Sequence, residues 1–348
     1  MSHGSRRRRP LLSKPAIAAA SILTVVAAGT AVGAVLPDQA SAAKAASTAP
    51  AAESAAKKAA QSAAAGSALA PALGPVYSGV GTHFDKTGDA GGGCGVPPAQ
   101  IESKDFVALN VYDTPGKFEA NLPRPAPDSI RGVWDNGLNC GRWVEIKLDD
   151  FCSVANGGAA GQGICRGGTW KPDQYNGATV KAVVTDSCGD PNEWCRSDRN
   201  HLDIARGSLG RFTLGGSPVG DLETMGRWNN RKIQWSFIPA PDYKGDIKIG
   251  LAKDASQWYT PVIITNLPNG IHGLEYQENG VWKQARMTGD NGQRYEIQPT
   301  TSARTSFTLR VKDADGKLLN GGREYTFKTP ACASGSSRCT DLYTPVAY

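Results

Sequence analysis

The sequence predicts a mainly β protein with two consecutive domains, a small β-barrel and then a β-sandwich. Three observations carry this. Between residues 76 and 240, short β-type runs alternate with Gly-rich loops. The stretch IPAPDYKG at 238–245 then breaks the pattern with two prolines and a glycine. Beyond it, strand-like runs follow at close intervals with no helical stretch between them. Many short strands separated by turn residues are the pattern of barrels and sandwiches rather than of layered α/β domains.

A different kind of sequence precedes these domains. MSHGSRRRR is a charged n-region, PAIAAASILTVVAAGTAVGAVL an apolar run, and Ala40-Ser41-Ala42 a small-residue cleavage site. Residues 1–42 therefore read as a secretion signal, with a retained membrane anchor as the competing reading. Residues 43–75 are dominated by alanine, lack an apolar stripe and read as a disordered linker. Residues 1–42 hold five basic side chains (Arg6, Arg7, Arg8, Arg9, Lys14) and one acid (Asp38), so without them the net charge falls from +6 to +2. A nearly neutral chain with dispersed charge has no nucleic-acid footprint. The expected product is a secreted, extracellular monomer with no membrane segment once the signal is removed.

In the first domain the candidate strands are 106–110, 143–148 (WVEIKL), 178–185 (ATVKAVVT) and 232–238 (KIQWSFI). The alternation of Val180, Ala182 and Val184 gives one of them a buried face. After Asp203, Ile204, Leu209 and Phe212 recur at roughly helical spacing and predict one short helix. In the second domain (241–331) the runs DIKIGLA, PVIITNL, HGLEYQENGVWKQARM, RYEIQP, SFTLRVKDADGKLL and REYTFK predict the sandwich strands. Asn279-Gly280 and Asp315-Gly316 lie between such runs and signal hairpins. Residues 332–348 form a tail, with CASGSSRC a disulfide-closed loop.

All eight cysteines (Cys94, Cys140, Cys152, Cys165, Cys188, Cys195, Cys332, Cys339) follow the signal. An even number in an exported chain argues for disulfides. Zinc is the competing reading, but there is no C-x-x-C pair and only His83, His201 and His272 remain. Connectivity stays open, the simplest pairing being 94–140, 152–165, 188–195 and 332–339. No metal or organic cofactor is expected.

Several ordered stretches resemble one family. THFDKTGDAGGGCG (82–95), LNCGRWVEI (138–146) and VVTDSC with HLDIARGSLGRF (183–188, 201–212) match in the first domain. KDASQWYTPVIITN (253–266), GLEYQENGVWK (273–283) and TLRVKDADGKLL (308–319) match in the second. Together they resemble the expansins, in particular the bacterial expansin-like proteins. The resemblance implies a six-stranded double-psi β-barrel followed by an immunoglobulin-like carbohydrate-binding sandwich. It also implies binding of cellulose, xyloglucan or other wall glucans, and loosening of the wall without hydrolysis. Peptidoglycan is a further candidate, because the barrel also resembles lytic transglycosylases as well as family 45 glycoside hydrolases.

On this resemblance Asp203 matches the aspartate required in expansins and the general acid of the related hydrolases; a helix N-cap is its alternative role. Asp186, otherwise a turn-forming aspartate, matches a second groove carboxylate. Thr82 matches a groove threonine, and Tyr175, Trp194 and His201 are further candidates to line the groove. Inverting hydrolysis needs a base roughly 6.5–9.5 Å from the acid. Asp85 is the possible base, but it lies one residue short of the hydrolase spacing, and one step along a strand reverses a side chain. No catalytic residue is therefore expected; the alternative is a weak endoglucanase or lytic transglycosylase with Asp203 as acid.

In the sandwich, Trp258 and Tyr259 match the aromatic pair that stacks on sugar rings. Strand neighbours point to opposite faces, so both serve only if the strand is irregular there, and Ser256 and Pro261 make room for that. Tyr295 is the nearest ring to the family's third platform position, unless it is a core residue. Lys253 matches a basic residue beside the platform, or is a solvated lysine. Trp228, Trp235 and Trp282 read as packing residues.

Overall fold

The computed structural model describes residues 71–87, 92–114, 124–154, 164–189, 194–228 and 231–348. The expected signal (1–42), most of the expected linker and part of the loop between Cys188 and Cys195 lie outside the described residues. Among the described residues no helix is long and apolar enough to cross a membrane.

The barrel uses six strands: β1 (Tyr77–Phe84), β2 (Phe106–Asn110), β3 (Trp143–Leu148), β4 (Thr179–Cys188), β5 (Leu202–Ala205) and β6 (Lys232–Ile238). Their order is β2-β5-β1-β6-β3-β4, and a further β4–β2 pairing closes the sheet on itself. The β1–β5 and β2–β4 pairs are parallel, while the remaining barrel pairs are antiparallel. Closure leaves no free edge. Inside pack Val107, Leu109, Val144, Ile146, Val180, Ala182, Val184, Leu202, Ile204, Ile233 and Trp235, the inward residue of every second position. The expected Val180–Ala182–Val184 face is thus the core face of β4.

Two local expectations need correction. Ile204 lies on a strand, and only Arg206–Gly210 is helical, as a 3₁₀ turn. Asp203 is consequently in the middle of β5, so it caps no helix. The short run LDIA becomes a strand because β1 and β2 pair with it on both sides, a tertiary cause that local periodicity does not register.

The sandwich strands are β7 (Lys248–Ala252), β8 (Thr260–Thr265), β9 (Gly273–Glu278), β10 (Val281–Gln284), β11 (Arg286–Met287), β12 (Arg294–Ile297), β13 (Ser306–Lys312), β14 (Tyr325–Lys328) and β15 (Tyr343–Pro345). They form a five-stranded sheet, β11-β12-β8-β7-β15, and a four-stranded sheet, β10-β9-β13-β14. Both sheets contribute to one core, with Ile249, Leu251, Val262, Ile264 and Ile297 from the first and Leu274, Phe307, Leu309, Tyr325 and Phe327 from the second. Asn279 and Gly280 both have positive φ (50° and 80°), as the tight β9–β10 hairpin requires. The tail is more than a closed loop, because β15 pairs with β7 and extends the sheet. The four disulfides join Cys94–Cys140, Cys152–Cys165, Cys188–Cys195 and Cys332–Cys339.

Barrel and sandwich meet through close backbone contact. A Cβ on Gly292 would lie 1.7 Å from the Gly137 carbonyl oxygen, and one on Gly137 would lie 2.3 Å from that of Asp290. Nearby, Gln293 N–H donates to the Cys94 carbonyl at 3.2 Å, and Arg124 Nε donates to Asp290 Oδ2 at 2.7 Å. Val96 of the barrel packs with Ala252 and Ile263 of the sandwich.

Candidate functional site

One row of side chains crosses four barrel strands. Thr82 on β1 is the register partner of Asp203 on β5, Asp203 is that of Ala108 on β2, and Ala108 is that of Asp186 on β4. Val107, Leu109, Leu202 and Ile204, the neighbours along these strands, point into the core. By strand alternation the row therefore faces outward. Asp203 and Asp186 stand two strand spacings apart, about 10 Å between backbones, with the buried side chain of Ala108 between them.

Asp186 joins the row because β4 is bulged. The register runs from Val107–Val184 to Ala108–Asp186, leaving Thr185 as the extra residue. Regular pairing would place Thr185 opposite Ala108 and turn Asp186 inward; the bulge re-aims it. The glycine run then holds it. Gly93 N–H donates to Asp186 Oδ1 at 2.5 Å and Ser187 N–H donates to the same oxygen at 2.8 Å. A Cβ on Gly93 would lie 2.4 Å from Ser187 Oγ, so this approach needs glycine.

Asp203 is only 6% exposed. Thr82 Oγ1 donates to its Oδ1 at 2.8 Å and lies 2.8 Å from His201 Nε2. A hydroxyl has one proton, so Thr82 accepts from His201, and the network assigns the ring proton to Nε2. Burial pushes His201 down to about 3, which leaves it neutral near pH 7. Burial pushes the Asp203 carboxyl up to about 6; the Thr82 bond opposes this and the charge of Asp186 adds to it. Cys188 Sγ lies 3.8 Å from Asp203 Oδ2, and the Cys188–Cys195 pair clusters with Ala108 beside Phe84. The disulfide is therefore part of what dries the carboxyl. Cys188, Cys195 and His201 are close enough together to suggest a metal site, but the disulfide leaves no thiolate to act as a ligand.

Asp85 stands apart from this row. Its side chain is 77% exposed and pairs with Arg206 Nη1 at 3.3 Å; Arg206 Nη2 also meets Glu223 at 2.8 Å. It lies just past the end of β1, and its exposed, arginine-paired carboxylate contrasts with the buried Asp203. Tyr175 packs on the barrel core and its hydroxyl meets Met225 Sδ at 3.7 Å. Trp194 begins a four-residue helical turn in the clasped loop.

In the sandwich the chain makes a tight turn before β8. Ser256 Oγ accepts from the N–H groups of Trp258 and Tyr259, both at 3.2 Å, and Ser256 N–H donates to the Tyr259 carbonyl at 2.7 Å. This irregularity frees Trp258 to be 65% exposed, with Tyr259 half-buried beside it. Arg304 lies 4.2 Å from the Trp258 ring centroid and donates to the Gln257 carbonyl at 3.0 Å, bracing one ring face. Lys253 is exposed at the start of the same turn. Tyr295 is corrected: it is 2% exposed within the sandwich core and offers no face to a ligand. Ala108, Gly93 and Arg304 were not foreseen. The available signal for Ala108 was its small size between Val107 and Leu109.

No protein-family model matches the chain, and no curated protein matches its sequence. Solved structures with similar arrangements include a mutant Clavibacter michiganensis expansin in complex with cellohexaose. It has 16% identity and a TM-score of 0.44 over 77% of this chain and 97% of that one. The apo expansin of the same organism gives 16%, 0.43, 76% and 96%. A β-1,4-D-endoglucanase from the blue mussel Mytilus edulis gives 15% and 0.26, covering 50% of this chain and 86% of the other.

Proposed function

We propose that the protein is a secreted expansin-like protein that binds cellulose or a related wall glucan and loosens it without cutting it. The observation that carries the reading is the outward row Thr82–Asp203–Ala108–Asp186. It sets two carboxyls on one side of the barrel, Asp203 bonded to Thr82 and Asp186 to main-chain N–H groups, hydrogen-bonding groups of the kind that suit the hydroxyl-rich edges of a sugar chain. Trp258 and Tyr259 supply the apolar stacking surface that sugar rings need.

The absence of cutting is argued from two features. Asp85 is solvent-exposed and held by Arg206, and Asp186 Oδ1 already accepts two main-chain N–H bonds, which leaves that oxygen little capacity to take a proton from water. Retention on cellulose tests the reading. The wild type should be retained well above the double variant Trp258→Ala/Tyr259→Ala, and equal retention counts against it.

One observation favours a second reading. Asp203, with its carboxyl near 6, is suited to giving a proton to a leaving oxygen. With Asp186 as base, the protein would be a weak endoglucanase or lytic transglycosylase. Reducing ends or anhydro-muropeptides released by the wild type but not by Asp203→Asn would establish it.

A further inference from the structure

Both tryptophans of the sandwich lie outside its core, which is built from Ile, Leu, Val, Phe and Tyr side chains. Each has an arginine guanidinium 4.2 Å from its ring centroid, Arg304 on Trp258 and Arg310 on Trp282. The two Arg–Trp units belong to different sheets. Trp258 precedes β8 of the five-stranded sheet, and Trp282 is on β10 of the four-stranded one.

Trp282 is half-buried under Arg310, and the register turns it to the face away from the core. It pairs with Gln277, and Glu275 pairs with Gln284. On the same strand, Leu274 is in the core and Tyr276 packs against it, so Glu275 and Gln277 face away from the core. One step beyond the Tyr276–Leu309 pair, Gln277 lies beside Thr308, which pairs with Thr326. The outward face therefore carries Trp282, Gln277 and Thr326, flanked by Gln284, Glu275 and Arg310, while Thr308 between them is buried and bonded to the Thr300 and Thr326 hydroxyls. A ring, two amides, a hydroxyl and a guanidinium on a sheet surface are the groups that stack on and hydrogen-bond to sugars.

From this we infer that the outer face of the four-stranded sheet is a second polysaccharide contact, centred on Trp282, and that the sandwich can hold two glucan chains at once. The inference rests on the glucan-binding reading above. Its occupant is a neutral β-glucan, because the ring and amides of the row match sugar hydroxyls and C–H faces while only one positive charge is left over: Glu275 accepts from both Arg310 Nε and Lys312 Nζ at 2.6 Å, and a polyanion needs a cluster of free cations. The row lacks the apolar centre that a protein interface buries. Two weak contacts on one rigid body raise avidity and permit bridging between chains.

The test uses Trp282→Ala and Gln277→Ala, with Trp258→Ala as the reference and Trp282→Phe as the variant that keeps a stacking ring. Retention on regenerated cellulose and clumping of a dilute suspension of cellulose microcrystals are measured, with unchanged thermal melting as the check on folding. Trp282→Ala should bind about tenfold more weakly and lose clumping, Gln277→Ala should weaken binding less, and Trp282→Phe should retain most of both. Trp258→Ala should keep residual binding that disappears in the double variant. Wild-type binding and clumping unaffected by Trp282→Ala overturns the second site and leaves the first standing. Binding of soluble polygalacturonate in preference to cellohexaose at Trp282 overturns the choice of a neutral occupant. No cellulose retention by the wild type overturns the underlying reading itself.

Discussion

Thr82 and Asp203 face each other across the parallel β1–β5 pair, joined by a 2.8 Å hydrogen bond from the threonine hydroxyl to the carboxylate. Through Thr82 the carboxyl is linked to a neutral, buried His201. The protonation of Asp203 is thereby set by a dry, outward-facing pocket rather than by bulk water.

A pH dependence follows from this burial. The carboxyl of Asp203 titrates near 6 in the fold, above the unfolded value of about 4. As pH falls from 6 to 4 the native state takes up a proton that the unfolded state does not, so acidification stabilises through this group. Above 6 the buried carboxylate costs up to about 3 kcal/mol. Asp203→Asn should therefore be more stable than the wild type at pH 7, with the difference closing by about pH 4, as measured by urea unfolding across pH.

His201 acts with the opposite sign. Its folded value of about 3 lies below the unfolded value of about 6.5, so its contribution is lost as pH falls from about 6.5 towards 3. Replacing His201 with Gln, which keeps a donor for Thr82, should flatten the acid limb of the stability profile. An unchanged acid limb in the same unfolding series would contradict the assignment of a neutral, buried ring.

The glycine at position 93 holds a groove carboxylate by close approach. Gly93→Ala should displace its N–H from Asp186 and destabilise the barrel by about 1–3 kcal/mol through overpacking. Urea unfolding checks the stability. Cellulose retention by the variant, compared with Asp186→Asn, checks whether the groove is altered as well.

Asp85→Ala should change neither cellulose retention nor sugar release, because its carboxylate is solvent-facing and paired with Arg206. Loss of a sugar-releasing activity in this variant would return Asp85 to the site.

Much of the architecture was legible because it follows from local chemistry. The runs WVEIKL and KIQWSFI bring Val144, Ile146 and Leu148, and Ile233, Trp235 and Phe237, to the barrel core at alternate positions, and Asn279-Gly280 can adopt the positive φ values of a tight hairpin. What was not legible depends on register between distant segments. Asp203 was tied to a helix because LDIA is too short to announce a strand; its pairing with Thr82 and Ala108 spans residues about one hundred positions apart. Asp186 faces outward only through a bulge, and nothing in VVTDSC marks Thr185 as the extra residue. Tyr295 lies in the core for the same reason, since one step of register decides which way a ring on a strand faces.

The central claim is binding and loosening without cutting. Its most direct test measures wall extension and soluble sugar release on one purified sample, for the wild type and Asp203→Asn in parallel. The account predicts that the wild type extends cellulose-based walls and releases no sugar, and that Asp203→Asn loses the extension. Sugar released by the wild type and abolished in Asp203→Asn would contradict it.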